Sequence, residues 1–340
     1  MILPRLALLC LVTALTATTG PAARAADLPV RGLTDVRCPS FETLRLRYEK
    51  RFLAPMNSFS HEALSDLRAE SVLYPFSGPD AVTALALFPQ LKHLTLVADQ
   101  IPEYGRLHES TADSEQAIAQ ECRMLGFFSQ LGYYRTHDLN GRGGERPPFV
   151  QLIAYSIAFA GAGVQDVQTL LLSANGEVTP ASEADSRPPA GIRFLAKRAD
   201  GRMVTVDYLA IDLSNRGIQK IAGAETFLRQ RAAEGVFLKA ASHLLQEPSF
   251  SRFADVLTPA AAFVIQDETG LSVERLEANF DLTLYGQYTA PQKLWAHHAS
   301  AQAFADLYAR GKPAGRLPFV FGYEKAAGSA LIIGRRRTTH

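Results

Sequence analysis

One strand-to-helix turn and a few carboxylates that follow apolar runs carry most of the chemistry this sequence offers. The turn is Tyr74-Pro75-Phe76-Ser77-Gly78-Pro79-Asp80, between the apolar runs Val72 to Phe76 and Ala81 to Phe88. Backbone N–H groups at the start of such a helix, with the Ser77 hydroxyl beside them, can hold an anion or a polar ligand. Gly78 relieves the turn. Asp80 falls in the first helical turn, where a carboxylate also stabilises the helix dipole. Asp99 closes another apolar run, Leu94 to Ala98, and Asp267 and Glu268 follow Ala262 to Gln266. If those runs are parallel strands, their carboxylates converge at one sheet edge. There they suit acid/base transfer, a divalent cation or sugar hydroxyls. The same residues also cap loops, and Asp267-Glu268-Thr269-Gly270 is equally a good tight turn. Tyr285, Tyr288 and Trp295 add aromatic faces in the late region, suited to a carbohydrate ring or to edge packing.

Other signatures are missing from the chain. It has no Gly-x-Ser-x-Gly elbow, no His-Glu-x-x-His, no Walker turn and no full Gly-x-Gly-x-x-Gly. His297 and His298 are adjacent, so they point apart and make poor co-ligands. No cofactor is specified, and no metal site is expected.

The elements that must position these residues read as α/β. Phe41 to Leu53 and His61 to Leu67 are helical in pattern. Val72 to Phe76, a short helix ending by Pro89, and Leu94 to Ala98 form a strand-helix-strand unit whose two strands are expected to be parallel neighbours. Ser110 to Leu131 reads as a long helix capped by Ser110. A polar loop, His137 to Pro148, follows, and then a helix from Phe149 to Ala160. Thr169 to Ser173 reads as a strand. Ile192 to Lys197 and Met203 to Ile211 flank Ala199-Asp200-Gly201-Arg202, a hairpin signal. Ala224 to Leu245 reads as largely helical, as do Ser249 to Leu257 and Gln302 to Tyr308. Phe280 to Tyr285, Val320 to Tyr323 and Ala330 to Ile333 read as strands, the last two closing and antiparallel. The expected fold is a Rossmann-like mixed sheet with helices on both faces and antiparallel strands near the C-terminus.

The early unit resembles the cofactor-binding start of class I methyltransferases. Ser77-Gly78-Pro79-Asp80 stands where that family has a glycine-rich turn. Asp99 stands where an acidic residue takes the ribose hydroxyls of S-adenosylmethionine. The resemblance covers about 35 residues, has one glycine only, and has Tyr74-Pro75-Phe76 in place of the usual acidic start. A second resemblance is to exported bacterial proteins that carry a Tyr-Pro-Phe-Ser-Gly-Pro-Asp segment. Its later counterparts here are Gln266-Asp267-Glu268-Thr269-Gly270, Leu284-Tyr285-Gly286-Gln287-Tyr288 and Leu317-Pro318-Phe319. It spans most of the chain after residue 25 and implies a single unit without implying an activity.

The N-terminus has the pattern of a secretory signal: Arg5, the apolar run Leu6 to Val12, and the small-x-small site Ala23-Arg24-Ala25. Residues 1–25 are expected to be removed, leaving one α/β domain, 26–340, with a helical start. Removal takes two arginines and moves the formal charge from +1 to −1. The bulk electrostatics therefore predict no nucleic-acid or membrane-surface partner. No later apolar run reaches the length of a span. The expected location is periplasmic or secreted. In an oxidising compartment Cys38 and Cys122 form a disulfide or remain two buried thiols. The functional expectation is an exported cell-envelope protein that binds a small polar ligand at Ser77, Gly78, Asp80, Asp99, Asp267 and Tyr285. The alternative is an enzyme on a degenerate methyltransferase-like fold that uses its carboxylates for acid/base chemistry.

Overall fold

The computed structural model describes residues 36–67, 69–99, 115–134, 149–182, 184–291, 299–323 and 329–338. The secretory-signal pattern, Ser110, the loop 137–148, Trp295, His297 and His298 lie outside these residues.

Helix α1 (Phe41–Tyr48) runs through a π-turn at Glu49–Leu53 into α2 (Ala54–Ala63). Then follow β1 (Ser71–Pro75), α3 (Val82–Leu87), β2 (His93–Ala98), α4 (Glu115–Leu131) and α5 (Phe149–Phe159). Next come β3 (Ala162–Leu172), β4 (Val178–Pro180), β5 (Gly191–Arg198), β6 (Met203–Ala210), α6 (Asn215–Lys220), α7 (Ala224–Ala233) and β7 (Val236–Lys239). The chain closes with α8 (Ser251–Ala260), β8 (Phe263–Gln266), α9 (Val273–Asn279), β9 (Phe280–Gly286), α10 (Ala299–Arg310) and β10 (Ala330–Arg336).

The described strands form one ten-stranded mixed sheet, ordered β4-β3-β5-β6-β2-β1-β7-β8-β10-β9. Strands β6, β2, β1, β7 and β8 are mutually parallel. Their chain order is β1, β2, β6, β7, β8, so the chain winds outward from β1 in one direction and then restarts on its other side. This is the doubly wound arrangement, whose crevice opens at the switch point between β1 and β7, beyond the strands' carboxyl ends. On one flank β5, β3 and β4 continue antiparallel to β6. On the other, β10 lies antiparallel to both β8 and β9.

Strand periodicity divides the core into two layers. Val72, Tyr74, Leu94, Leu96, Leu238 and Ile265 face α1 to α5 and pack with Tyr48, Phe52, Leu85, Phe128 and Ile153. Leu73, Val97, Phe237 and Val264 face the other way and pack with Phe227, Leu228, Phe253 and Leu257. Residues alternating along a strand point to opposite faces, so a strand buried on both sides must be apolar throughout. Strands β1, β2 and β7 follow this except at the buried Thr95 of β2 and Lys239 of β7.

The expected pairing of β1 with β2 is observed, in register from Ser71 with His93 to Pro75 with Val97. The hairpin at Ala199–Arg202 is also observed, with Gly201 left-handed at φ 86° and Arg198 N donating to Arg202 O at 2.8 Å. Several elements differ from the sequence reading. Ala224 to Leu245 is not one helix: after α7 the chain turns at Gly235 into β7. A run of three apolar residues closed by a lysine cannot be told from helix by periodicity alone. A Cβ on Gly235 would lie 2.0 Å from Ser71 O, so the close approach of this turn to β1 requires glycine. Strand β3 begins at Ala162, not Thr169, because a register shift between Val164 and Asp166 breaks the alternation that marks a strand. Val320–Tyr323 is not a strand: Phe321 N and O both bond the Ser329 hydroxyl instead of a ladder.

Cys38 and Cys122 are disulfide-bonded, with Cα atoms 5.0 Å apart. The neighbouring Glu121 is fully buried and takes Arg37 N at 3.0 Å, Cys38 N at 3.3 Å and the Arg37 guanidinium at 3.1 Å. The segment ahead of α1 is therefore fastened to α4 twice. Among the described residues no helix is long and apolar enough to cross a membrane.

Candidate functional site

The five parallel strands deliver their following loops to one edge of the sheet. The turn 76–80 follows β1, Asp99 follows β2, residues 240–243 follow β7, and residues 267–270 follow β8. Asp80, Asp99 and Asp267 thus share an edge. Asp99 and Asp267 are nonetheless three strand spacings apart, about 14 Å.

Asp80 is buried, with 2% of its surface exposed. Its Oδ1 accepts from Thr83 N at 3.2 Å. Its Oδ2 accepts from Thr83 Oγ1 at 2.8 Å and from the Tyr74 hydroxyl at 3.1 Å. Burial nevertheless pushes its pKa up to about 6, against these bonds. Burial, with the Asp80 charge beside it, raises the Tyr74 phenol well above the ordinary value. The first N–H groups of α3 are occupied from within the protein: the Ser156 hydroxyl accepts Ala81 N at 2.8 Å and Val82 N at 3.0 Å. Ser77 Oγ donates to Gly78 O at 3.2 Å, and Gly78 is left-handed at φ 56°.

Asp267, 1% exposed, links three segments. Oδ1 accepts from Thr269 N at 2.8 Å and Thr269 Oγ1 at 2.5 Å, while Oδ2 accepts from Ala241 N at 2.9 Å. Gly322 comes so close that a Cβ there would lie 1.9 Å from Asp267 Oδ2. Lys239, at the end of β7, is fully buried. Its ammonium donates to Ser242 O at 2.7 Å, Thr269 Oγ1 at 3.0 Å and Ala240 O at 3.2 Å, so its three donors meet three acceptors. It also stands 5.5 Å from the centre of the Phe76 ring. Burial depresses its pKa to about 8, opposed by the charges of Asp267 and Glu268.

Asp80 lines a small cavity with Met56, Tyr74, Thr83, Gly132, Tyr133, Ala240, Ala241 and residues 320–322, and Asp267 stands behind two of these, Ala241 and Gly322. Its volume is about 10 Å³, room for one water-sized group. A larger cavity of about 100 Å³ lies at the opposite, amino edge, between Ser60, Leu64, Leu67, Leu87 and Phe88. No buried titratable group faces it, and its one buried hydroxyl, Ser60 Oγ, already donates to Leu87 O at 2.7 Å. Chemistry therefore points to the smaller cavity despite its size.

The other expected residues stand apart from this cavity. Asp99 is exposed; partial desolvation and the charge of Asp212, beyond the end of β6, raise its pKa. Tyr285 packs edge-on to Phe59, ring centres 4.9 Å apart, and takes the Tyr308 hydroxyl on its carbonyl at 3.0 Å. Tyr288 is buried against Phe304 and Tyr308. Lys239, Ala241, Ser156 and Gly322 were not singled out from the sequence. A lysine closing an apolar run was the one visible signal among them. Two left-handed residues also went unseen: Phe76 at φ 57° and Ala241 at φ 53°, just past the ends of β1 and β7. Non-glycine residues rarely hold this conformation, and each costs about 1 kcal/mol or more.

Among the described residues no group of three His, Cys, Asp or Glu side chains is arranged to hold a metal ion. No protein-family model and no curated protein sequence matches the chain.

Proposed function

We propose that this protein is an exported, cell-envelope ligand-binding protein. It takes a small polar ligand at the carboxyl edge of its sheet, in the crevice where β1 and β7 meet. The observation that carries this reading is the pair of left-handed non-glycine residues at these two strand ends, of which Ala241 lines a cavity that also holds the buried carboxylate of Asp80 and is bonded from behind by Asp267. Strain of this kind concentrates at ligand-binding sites, and doubly wound sheets bind at the switch point. Ser77 and Gly78 lie in the turn after β1 that leads to Asp80, and the exposed Asp99, one strand farther along the same edge, would offer a carboxylate to the hydroxyls of a ligand that extends beyond the cavity. The helix donors that an anion would need are already taken by Ser156, which favours a ligand recognised through its hydroxyl or amine groups. The Cys38–Cys122 disulfide and the N-terminal pattern support export.

A thermal-shift screen against sugars, nucleotides, S-adenosylmethionine and divalent cations tests the reading, since a ligand that binds only the folded chain raises its melting temperature. The expected outcome is a hit whose shift shrinks in Asp80→Asn or Asp99→Asn. A hit unaffected by either substitution would place binding elsewhere.

The second reading is an enzyme on a methyltransferase-like sheet. It is favoured by one observation, a buried carboxyl with a pKa of about 6 bonded to a tyrosine hydroxyl, which is a group suited to proton transfer near neutrality. Stabilisation by S-adenosylmethionine in the same screen would favour it over the first.

A further inference from the structure

We propose that residues 240–243, the loop after β7, are a movable wall of the site, held shut by Asp267 and biased toward opening by what the loop itself encloses. This rests on the ligand reading above, because Ala240 and Ala241 line the same cavity as Asp80.

Two features bias the loop outward. Ala241 is left-handed at φ 53°, a conformation that opposes its Cβ and that an open loop would not need. The loop also wraps around the ammonium of Lys239, whose bonds to Ala240 O and Ser242 O exist only while the loop is folded over it. A fully buried ammonium has given up its hydration, and opening the loop returns it. Against these stand the ammonium's own two loop bonds and, as the latch, the bonds from Ala241 N to Asp267 Oδ2 at 2.9 Å and from Ser242 N to Thr269 Oγ1 at 3.2 Å. Thr269 is itself bonded to Asp267, so one carboxylate governs both contacts. The main chain on either side of the latch is firmly placed. Strand β7 pairs with β1 and β8, and Asp267 N donates to Lys239 O at 3.1 Å. Opening can therefore be confined to the loop. The motion would widen a cavity that in the closed form admits one water-sized group.

Amide hydrogen exchange on the full chain tests this without any ligand, so its outcome is separate from that of the ligand screen. The expected result is that the Ala241 and Ser242 amides exchange through local opening, with protection well below that of Phe237 and Leu238 in β7. Ala241→Gly removes the backbone strain and should raise protection at Ser242 about fivefold. Asp267→Asn should lower it at Ala241 about tenfold while leaving Phe237 and Leu238 unchanged. Protection at Ala241 and Ser242 in the wild type equal to that of β7 would overturn the proposal, since the loop would then open only with the whole fold. So would an Ala241→Gly variant whose loop exchanges as fast as or faster than the wild type.

Discussion

Replacing Asp80 with Asn tests the electrostatics of the site directly. In the folded chain burial lifts the Asp80 carboxyl to about 6, against an ordinary value of 3.8. The unfolded chain releases this proton earlier as pH rises, so between these values the folded state binds more protons. Stability through this group therefore increases as pH falls from about 6 to about 4 and is absent above 6. A shift of about two units corresponds to about 3 kcal/mol. Asn removes the titration but keeps the shape. Its carbonyl can still accept Thr83 N, and the Thr83 and Tyr74 hydroxyls can turn to accept from its amide. Urea unfolding of both proteins at pH 7 and pH 4 gives the difference between them, in which other titrating groups cancel. The variant should be close to the wild type in stability, or above it, at pH 7, and lose about 2.4 kcal/mol relative to it on going to pH 4, where part of the unfolded chain is already protonated. A difference that stays constant within about 0.5 kcal/mol would refute the reasoning.

Three further outcomes follow from the geometry. Reducing the Cys38–Cys122 disulfide frees a loop of 84 residues' separation, and the chain-entropy argument gives a loss of about 4.5 kcal/mol, measurable as a lower urea midpoint with reductant. Ser156→Ala removes the hydroxyl that accepts the Ala81 and Val82 N–H groups, leaving Ala81 N with Pro79 O at 3.0 Å, and should cost about 1–2 kcal/mol by the same unfolding assay, where a loss under 0.5 kcal/mol would contradict it. Arg193→Met strips Asp207 of its two 2.7 Å guanidinium bonds, leaving the buried carboxylate with His93 alone, and should cost about 2–3 kcal/mol by thermal unfolding; an unchanged melting temperature would show that the pair adds nothing.

The parallel core was legible where apolar runs were bounded by strong punctuation. Pro79 and Pro89 framed α3, and the Asp-Gly pair marked the β5–β6 hairpin. Strand β7 was hidden because Val-Phe-Leu-Lys is short and only Glu234-Gly235, with no proline, separates it from the helix before it. Missing it concealed the switch point itself. Asp80 and Asp267 could be marked as residues after strands, but their roles depend on partners far away in sequence. Ala241 reaches Asp267 across 26 residues, and Ser156 reaches Ala81 across 75. Left-handed turns at Phe76 and Ala241 leave no trace in composition, since nothing but the surrounding packing imposes them. Tyr285 was placed with the carboxylates by its nearness in sequence to Asp267. Strand β10 intervenes between β8 and β9, and the ring turns to Phe59 instead.

The central claim is that the crevice between β1 and β7 binds a small polar ligand. Its most direct measurement is the map of backbone amide chemical-shift changes as a hit from the thermal-shift screen is titrated into the full chain. Binding in the crevice predicts changes concentrated at Tyr74 to Asp80, Asp99, Ala240 to Ser242, Asp267 to Thr269 and Gly322. Changes centred on Ser60 to Leu67 and Leu87 to Gln90, around the cavity at the opposite edge, would contradict it.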